Sequence, residues 1–288
     1  MTPDRPSQTA MATAFMRALH LIADDAPAVF EDDVASQLLP IYQRRFLARL
    51  GALPKPWLRT FRQRRYGLTP MRAQIVVRAR YAEDALLAAR SAGAERYLIL
   101  AAGLDTFAQR QAGSDAPIAV IEVDHPATQA WKRDWLETHG MTARGVEYRA
   151  VDFERETLRD VLDTNDRPQF VSWLGTTYYL SREAIAATLA ALADLSPRGS
   201  RLVLDYWRQP PVFDPSSALL WGTRLATALQ QEPMRCFLEP AELEAMAREA
   251  GWRVRENCAP EIQNQRYLHQ RKDGLAVPAF AYLAQLER

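Results

Sequence analysis

From residue 96 onward the chain alternates short apolar runs with helix-length amphipathic segments, and few architectures accept that rhythm. The runs are Tyr97-Leu-Ile-Leu-Ala-Ala, Ile118-Ala-Val-Ile-Glu-Val, Val146-Glu-Tyr-Arg-Ala-Val, Phe170-Val-Ser-Trp-Leu and Arg201-Leu-Val-Leu-Asp. Helical patterns lie between them at Ala127 to His139, Glu154 to Leu162 and Arg182 to Leu195. Strands that are apolar on both faces need cover on both faces, which parallel βαβ units supply. The pattern therefore predicts an α/β fold with a Rossmann-like, doubly wound sheet. Two later segments, Gly251-Trp-Arg-Val-Arg-Glu and Val277-Pro-Ala-Phe-Ala-Tyr-Leu-Ala-Gln-Leu, read as a terminal antiparallel pair.

The stretch before residue 94 shows no strand signal. It reads as helices at Ala10 to Ile22, Val34 to Leu50 and Met71 to Ala92, with a break at Gly51-Ala-Leu-Pro-Lys-Pro, where the two prolines remove amide donors. The expected organisation is an N-terminal helical cap over 1–93 and a core over 94–288. The Pro-rich connector Gln209-Pro-Pro-Val-Phe-Asp-Pro opens a substrate-side insertion at about 208–240. At 288 residues, 48% hydrophobic and 25% charged, the chain has ample interior for a core, and its net charge of +1 gives no global pull toward nucleic acid or an anionic membrane. Two cysteines, Cys236 and Cys258, make neither a disulfide framework nor a zinc site, and no metal is expected. The first residues carry an acid early with no cationic lead into an apolar block, and no apolar run reaches the roughly 20 residues of a membrane span. The expected location is the cytoplasm.

In an open α/β sheet the ligand sits at the carboxyl ends of the strands, so the first strand-to-helix turn is informative. It reads Leu100-Ala-Ala-Gly-Leu-Asp-Thr-Phe, and Asp124 follows Gly103 by 21 residues, at the end of the second strand, where an acid can take both ribose hydroxyls. The turn lacks G-x-G-x-x-G. Leu104 and Asp105 fill the space a dinucleotide pyrophosphate needs, and an acid there repels phosphate while favouring a cationic ligand such as S-adenosylmethionine. Asp105 reads equally well as a helix cap.

The blocks Arg78-Ala-Arg-Tyr-Ala-Glu-Asp, Leu98-Ile-Leu-Ala-Ala-Gly-Leu-Asp-Thr-Phe and Ile121-Glu-Val-Asp-His-Pro with Lys132 beyond resemble the leucine carboxyl methyltransferase family. They look most like its bacterial branch of small-molecule O-methyltransferases linked to polyketide and other natural-product pathways. Phe170-Val-Ser-Trp-Leu-Gly-Thr-Thr-Tyr-Tyr-Leu and Leu202-Val-Leu-Asp-Tyr extend the likeness, which runs over roughly residues 70 to 207. The resemblance implies a class I methyltransferase core with S-adenosyl-L-methionine as cofactor. It implies that Arg80 grips the methionine carboxylate, with Arg78 a competitor, since arginines two apart on a helix cannot share one face. It further implies that Ala101 and Gly103 form the cofactor loop, Asp124 holds the ribose, and Asp152 with Phe153 meets the adenine. Ala101 stands where the family commonly has glycine, Phe107 where many relatives carry arginine, and Leu174 where the members that methylate protein phosphatase carry glutamate. That last departure favours a small-molecule acceptor.

Charge is uneven along the chain. Residues 42–90 hold eleven arginines and one lysine against two acids, net +10, whereas residues 1–41 are net −4. Most of these arginines read as a solvated helix face. The sharper reading is a cap that draws in an anionic acceptor, with Arg64 and Arg65 as substrate-binding candidates. The segment Arg59-Thr-Phe-Arg-Gln-Arg-Arg-Tyr also admits a non-catalytic nucleotide- or RNA-binding reading, which the near-neutral whole chain disfavours. Tyr178 and Tyr179 are candidates for positioning the acceptor, and for one of them ordinary aromatic core is the competing reading. The four histidines, His20, His125, His139 and His269, are scattered. A carboxylate is already ionised at neutral pH and requires no base, whereas a phenol benefits from one. The expectation is O-methylation of a small-molecule carboxylate, with phenolic O-methylation or amine N-methylation as alternatives.

Overall fold

A computed structural model describes residues 7–54, 57–58, 68–153, 155–211 and 213–288. Five parallel strands, β1 (Arg96–Leu100), β2 (Ala119–Asp124), β3 (Val146–Ala150), β4 (Gln169–Trp173) and β5 (Arg201–Trp207), join β6 (Arg253–Cys258) and β7 (Ala281–Glu287) in one sheet of order β3-β2-β1-β4-β5-β7-β6. The two terminal strands do pair antiparallel, and β7 inserts between β5 and β6 so that it also runs antiparallel to β5. Alternating side chains feed the two faces. Tyr97, Ile99, Phe170 and Val203 enter one buried cluster, while Leu98, Leu100, Val171, Trp173, Leu202 and Leu204 enter the other. This is the α/β, Rossmann-like arrangement that the sequence pattern predicts, with an antiparallel strand added at one end. Edge strand β3 departs from the expected two-sided burial, with Glu147 and Ala150 exposed.

The chain builds outward from β1 to β3, then returns to place β4 on the other side of β1. The strand order therefore reverses between β1 and β4, and a crevice opens above their carboxyl ends. That crevice is where the site lies.

Among the described residues the helices are α1 (Gln8–Ala23), α2 (Ile41–Gly51), α3 (Leu68–Ser91), the single turn α4 (Phe107–Arg110), α5 (Pro126–Thr138), α6 (Arg182–Leu195), α7 (Ser216–Leu229), α8 (Pro240–Glu249) and α9 (Pro260–Gln263), which runs on into a π turn at Asn264–Leu268. Two sequence expectations change. The helix expected over 34–50 is split by Pro40 into a 3-10 turn at Ala35–Leu38 and α2, because proline carries no amide to continue the ladder. The helix expected over 154–162 contracts, in its described residues, to one 3-10 turn at Leu158–Asp160, closed by reciprocal side-chain capping between Thr157 and Asp160.

Helix α3, expected in the cap, packs on the sheet. Its Ala73, Val76, Val77 and Tyr81 share a cluster with Tyr97, Ile99 and Phe170, so α3 joins the sheet's core as well as the cap's. The earlier helices form a smaller core of their own, in which Leu19, Leu38 and Leu47 meet Ile75 of α3, Leu104 of the first loop and Leu136 of α5. Ionic contacts fasten this cap: Arg72 of α3 donates twice to Asp24 at 2.7 Å, and His20 Nδ1 lies 2.8 Å from the same carboxylate. Among the described residues no helix is long and apolar enough to cross a membrane.

Candidate functional site

A cleft of about 320 Å³ occupies the crevice. Its floor is the turn after β1. Ala101 and Gly103 both adopt left-handed φ, 50° and 52°, which folds the backbone tightly back over the strand end. That geometry costs an L-residue about 1–2 kcal/mol and costs glycine little, which gives a physical reason for a glycine at 101. Asp124, at the end of β2, closes the turn: Oδ2 accepts from the Gly103 amide at 2.5 Å and Oδ1 from the His125 amide at 2.7 Å. Burial raises the Asp124 carboxyl above its usual range, and the His125 and Gly103 amides with Lys132 offset this only in part. Each of its oxygens keeps a second lone pair for a ligand hydroxyl.

Asp152 and Phe153, just past β3, line the same end of the cleft as Asp124, as do Ala101 and Gly103. Arg80 does not reach it. Its side chain is half exposed and bonds Asp84 one turn along the outer face of α3. The arginine that α3 sends inward is Arg78, buried to 8% exposure, with Nη1 donating to Asp205 at 2.9 Å and to the Tyr178 hydroxyl at 3.2 Å. Two residues on a helix differ by about 200° of rotation, so burying one exposes the other.

Tyr178 is core: it is 4% exposed, it packs on Trp207 at 4.2 Å, and burial raises its phenol well above the ordinary range. Tyr179 lines the cleft, its phenol pushed up to about 12 by burial first. Arg64 and Arg65 lie outside the described residues. His125 caps α5, its Nδ1 accepting from the Ala127 amide at 3.3 Å. Asp105 lines the cleft and is not the cap of α4, whose N-cap residue is Thr106; its Oδ1 accepts from the Phe107 amide at 2.7 Å in the turn before that helix.

Several residues of the cleft wall, and one buried behind it, were not predicted. Asp205 on β5 is fully buried and takes Gln74, Arg78 and the Gly175 amide together. An acid ending the apolar run Leu202-Val-Leu was the available signal. From α1 come Thr9, Thr13 and Arg17; Arg17 donates to Asp32 at 2.7 Å and to the Leu104 carbonyl at 2.6 Å. Glu83 is paired with Arg110, and Glu232 accepts from Thr9, which ties the segment after α7 to α1. Ala10 lies so close over the floor that a Cβ on Gly103 would sit 3.2 Å from its own.

These features suit S-adenosylmethionine better than a dinucleotide. The buried Leu104 and the acid Asp105 fill the space a pyrophosphate would need, and Arg78 on the cleft wall brings a guanidinium suited to a carboxylate.

The sequence model of the leucine carboxyl methyltransferase family matches residues 10–193. A Bacillus subtilis (strain 168) protein provisionally named an S-adenosyl-L-methionine-dependent methyltransferase, YktD, is 30% identical over 96% of both chains. A Parafrankia sp. (strain EAN1pec) protein with the same provisional description is 35% identical over 69% of this chain and 62% of its own. The Synechocystis magnesium protoporphyrin IX methyltransferase with bound S-adenosylhomocysteine is similar at a TM-score of 0.48 and 13% identity, over 74% of this chain and 84% of that one. The match spans α1, the cofactor-type turn and β1 through β4, so the chain belongs to the leucine carboxyl methyltransferase family.

Proposed function

We propose that the chain is an S-adenosylmethionine-dependent O-methyltransferase whose acceptor is a small-molecule carboxylate. Family membership carries the coarser part, methyl transfer from S-adenosylmethionine. The acceptor class rests on one observation about bases. His125, the imidazole on the cleft wall among the described residues, accepts a backbone amide through Nδ1, so in the neutral ring Nε2 bears the hydrogen and has no lone pair for a proton. The Tyr179 phenol, near 12, stays neutral. An acceptor ionised before it binds fits such a wall.

When bound, the cofactor supplies an activated sulfonium methyl group. The chain's part is positioning. Asp124 orients the ribose, Asp152 and Phe153 flank the adenine, and Arg78, held straight by Asp205, takes the methionine carboxylate. Helix α1 covers the turn and excludes water. Arg64 and Arg65 draw the anionic acceptor.

Single-turnover methyl transfer to panels of carboxylic acids, phenols and amines, between about pH 6 and 9, tests the proposal. The expected result is a carboxyl ester formed at a rate that does not rise with pH. A rate climbing tenfold per pH unit, with phenols the only methylated products, overturns the carboxylate reading. Neutralising Arg64 and Arg65 together should raise the acceptor KM and leave cofactor affinity unchanged.

A further inference from the structure

Lys132 of α5 is 1% exposed, and its ammonium is shared between two oxygens: Glu122 Oε2 at 2.6 Å and the main-chain carbonyl of Asp105 at 2.6 Å. Neutralising a buried Glu122 accounts for the first bond alone. The second reaches the turn after β1 at Asp105, from a side chain that does not itself line the cleft.

The remaining geometry makes that second bond consequential. Glu122 and Asp124 alternate on β2 and so face the same side of the sheet. Asp124, a cleft-lining residue, holds the turn at Gly103 at 2.5 Å, and Lys132, which does not line the cleft, holds it at Asp105 at 2.6 Å. Between the two anchors lie one of the two left-handed residues, Gly103, and Leu104, whose carbonyl is taken by Arg17 at 2.6 Å. The charge of Lys132 also acts on Asp124, favouring its ionised form. Glu122 itself is raised to about 7, by burial first and then by Asp105 and Asp124, with Lys132 opposing.

We infer that Lys132 is a positioning residue for the cofactor: it fixes the turn at Asp105 against Asp124, so that the ribose meets a preformed Asp124–Gly103 edge. The inference rests on the reading that this turn takes S-adenosylmethionine.

The test uses the full chain and S-adenosylhomocysteine titrated calorimetrically, with unfolding followed in parallel. Glu122→Gln keeps the ammonium on the Asp105 carbonyl. Glu122→Met with Lys132→Met removes both charges and that bond, and replacing a buried ion pair by apolar side chains of similar volume is commonly neutral or stabilising, so the fold is kept. The double variant should bind at least tenfold more weakly than Glu122→Gln, while Glu122→Gln stays within about threefold of the wild type. Amide exchange across 102–107 in the unliganded double variant should accelerate, with exchange in β4 and β5 unchanged. Equal affinity in the two variants, or unchanged exchange, would make Lys132 a counter-ion and nothing more. A wild-type chain that bound no S-adenosylhomocysteine would instead remove the cofactor reading beneath the inference.

Discussion

The guanidinium of Arg78 is wedged between the Asp205 carboxylate, 2.9 Å away, and the backbone of Gly175, where an added Cβ would come within 2.8 Å of Nη2. Gly175 also has a φ of +80° and gives its amide to Asp205 at 2.5 Å. Gly175→Ala therefore combines backbone strain of about 1–2 kcal/mol with displacement of Arg78. Cofactor affinity should fall about tenfold or more by calorimetry. Unchanged affinity would show that Arg78 does not hold the cofactor.

The two arginines of α3 should behave oppositely. Arg78→Gln loses a charge-assisted partner for the carboxylate, about 1.5–3 kcal/mol of binding, and leaves Asp205 buried without its cation, which also lowers stability. Arg80→Gln breaks an exposed pair with Asp84 and should change stability by less than about 0.5 kcal/mol and binding not at all. Thermal unfolding and titration of both variants check the contrast.

Asp124→Ala should cost about 1.5–3 kcal/mol of cofactor affinity, because it removes the ribose acceptor and releases the Gly103 amide at once. Asp124→Asn keeps one oxygen and should lose less. Equal losses in the two variants would place the whole effect in the ribose contact rather than in the turn.

Ala101→Gly removes a methyl group from a residue at φ 50°. Relief of strain, set against the greater entropy of the unfolded glycine, leaves a gain of up to about 1 kcal/mol. A rise in Tm with cofactor affinity preserved is expected. A fall would mean that the Ala101 methyl makes packing contacts worth more than the strain.

Acid should loosen the cap. Burial alone would raise the Asp24 carboxyl, but His20 and Arg72 outweigh it and hold it below its usual range; Asp32 is held down in the same way by Arg17 and Arg110. Both groups have lower values folded than unfolded, so their contribution is complete above the unfolded value of about 4 and is lost as pH falls through the folded ones. Unfolding free energy should decline from about pH 5 to about pH 3, and Asp24→Asn with Asp32→Asn should flatten the decline.

The alternation of apolar runs and helical segments determined the sheet, because strands covered on both faces admit little else, and the expected strands overlie β1 to β5 within a residue or two at most ends. The turn at 101–103 and the acid ending β2 were legible for a related reason: both are local consequences of a strand meeting a helix. Which arginine of α3 enters the cleft was not legible. That helix lies between the cap and the sheet and buries residues around most of its circumference, including Arg72, Gln74 and Arg78, so no polar face marks its rotation. Each of those polar residues is buried by a partner distant in sequence, Asp24 for Arg72 and Asp205 for both Gln74 and Arg78. A charged side chain enters a core only where its counter-charge waits, and only the packing of α1, α3 and β5 together decided where that was.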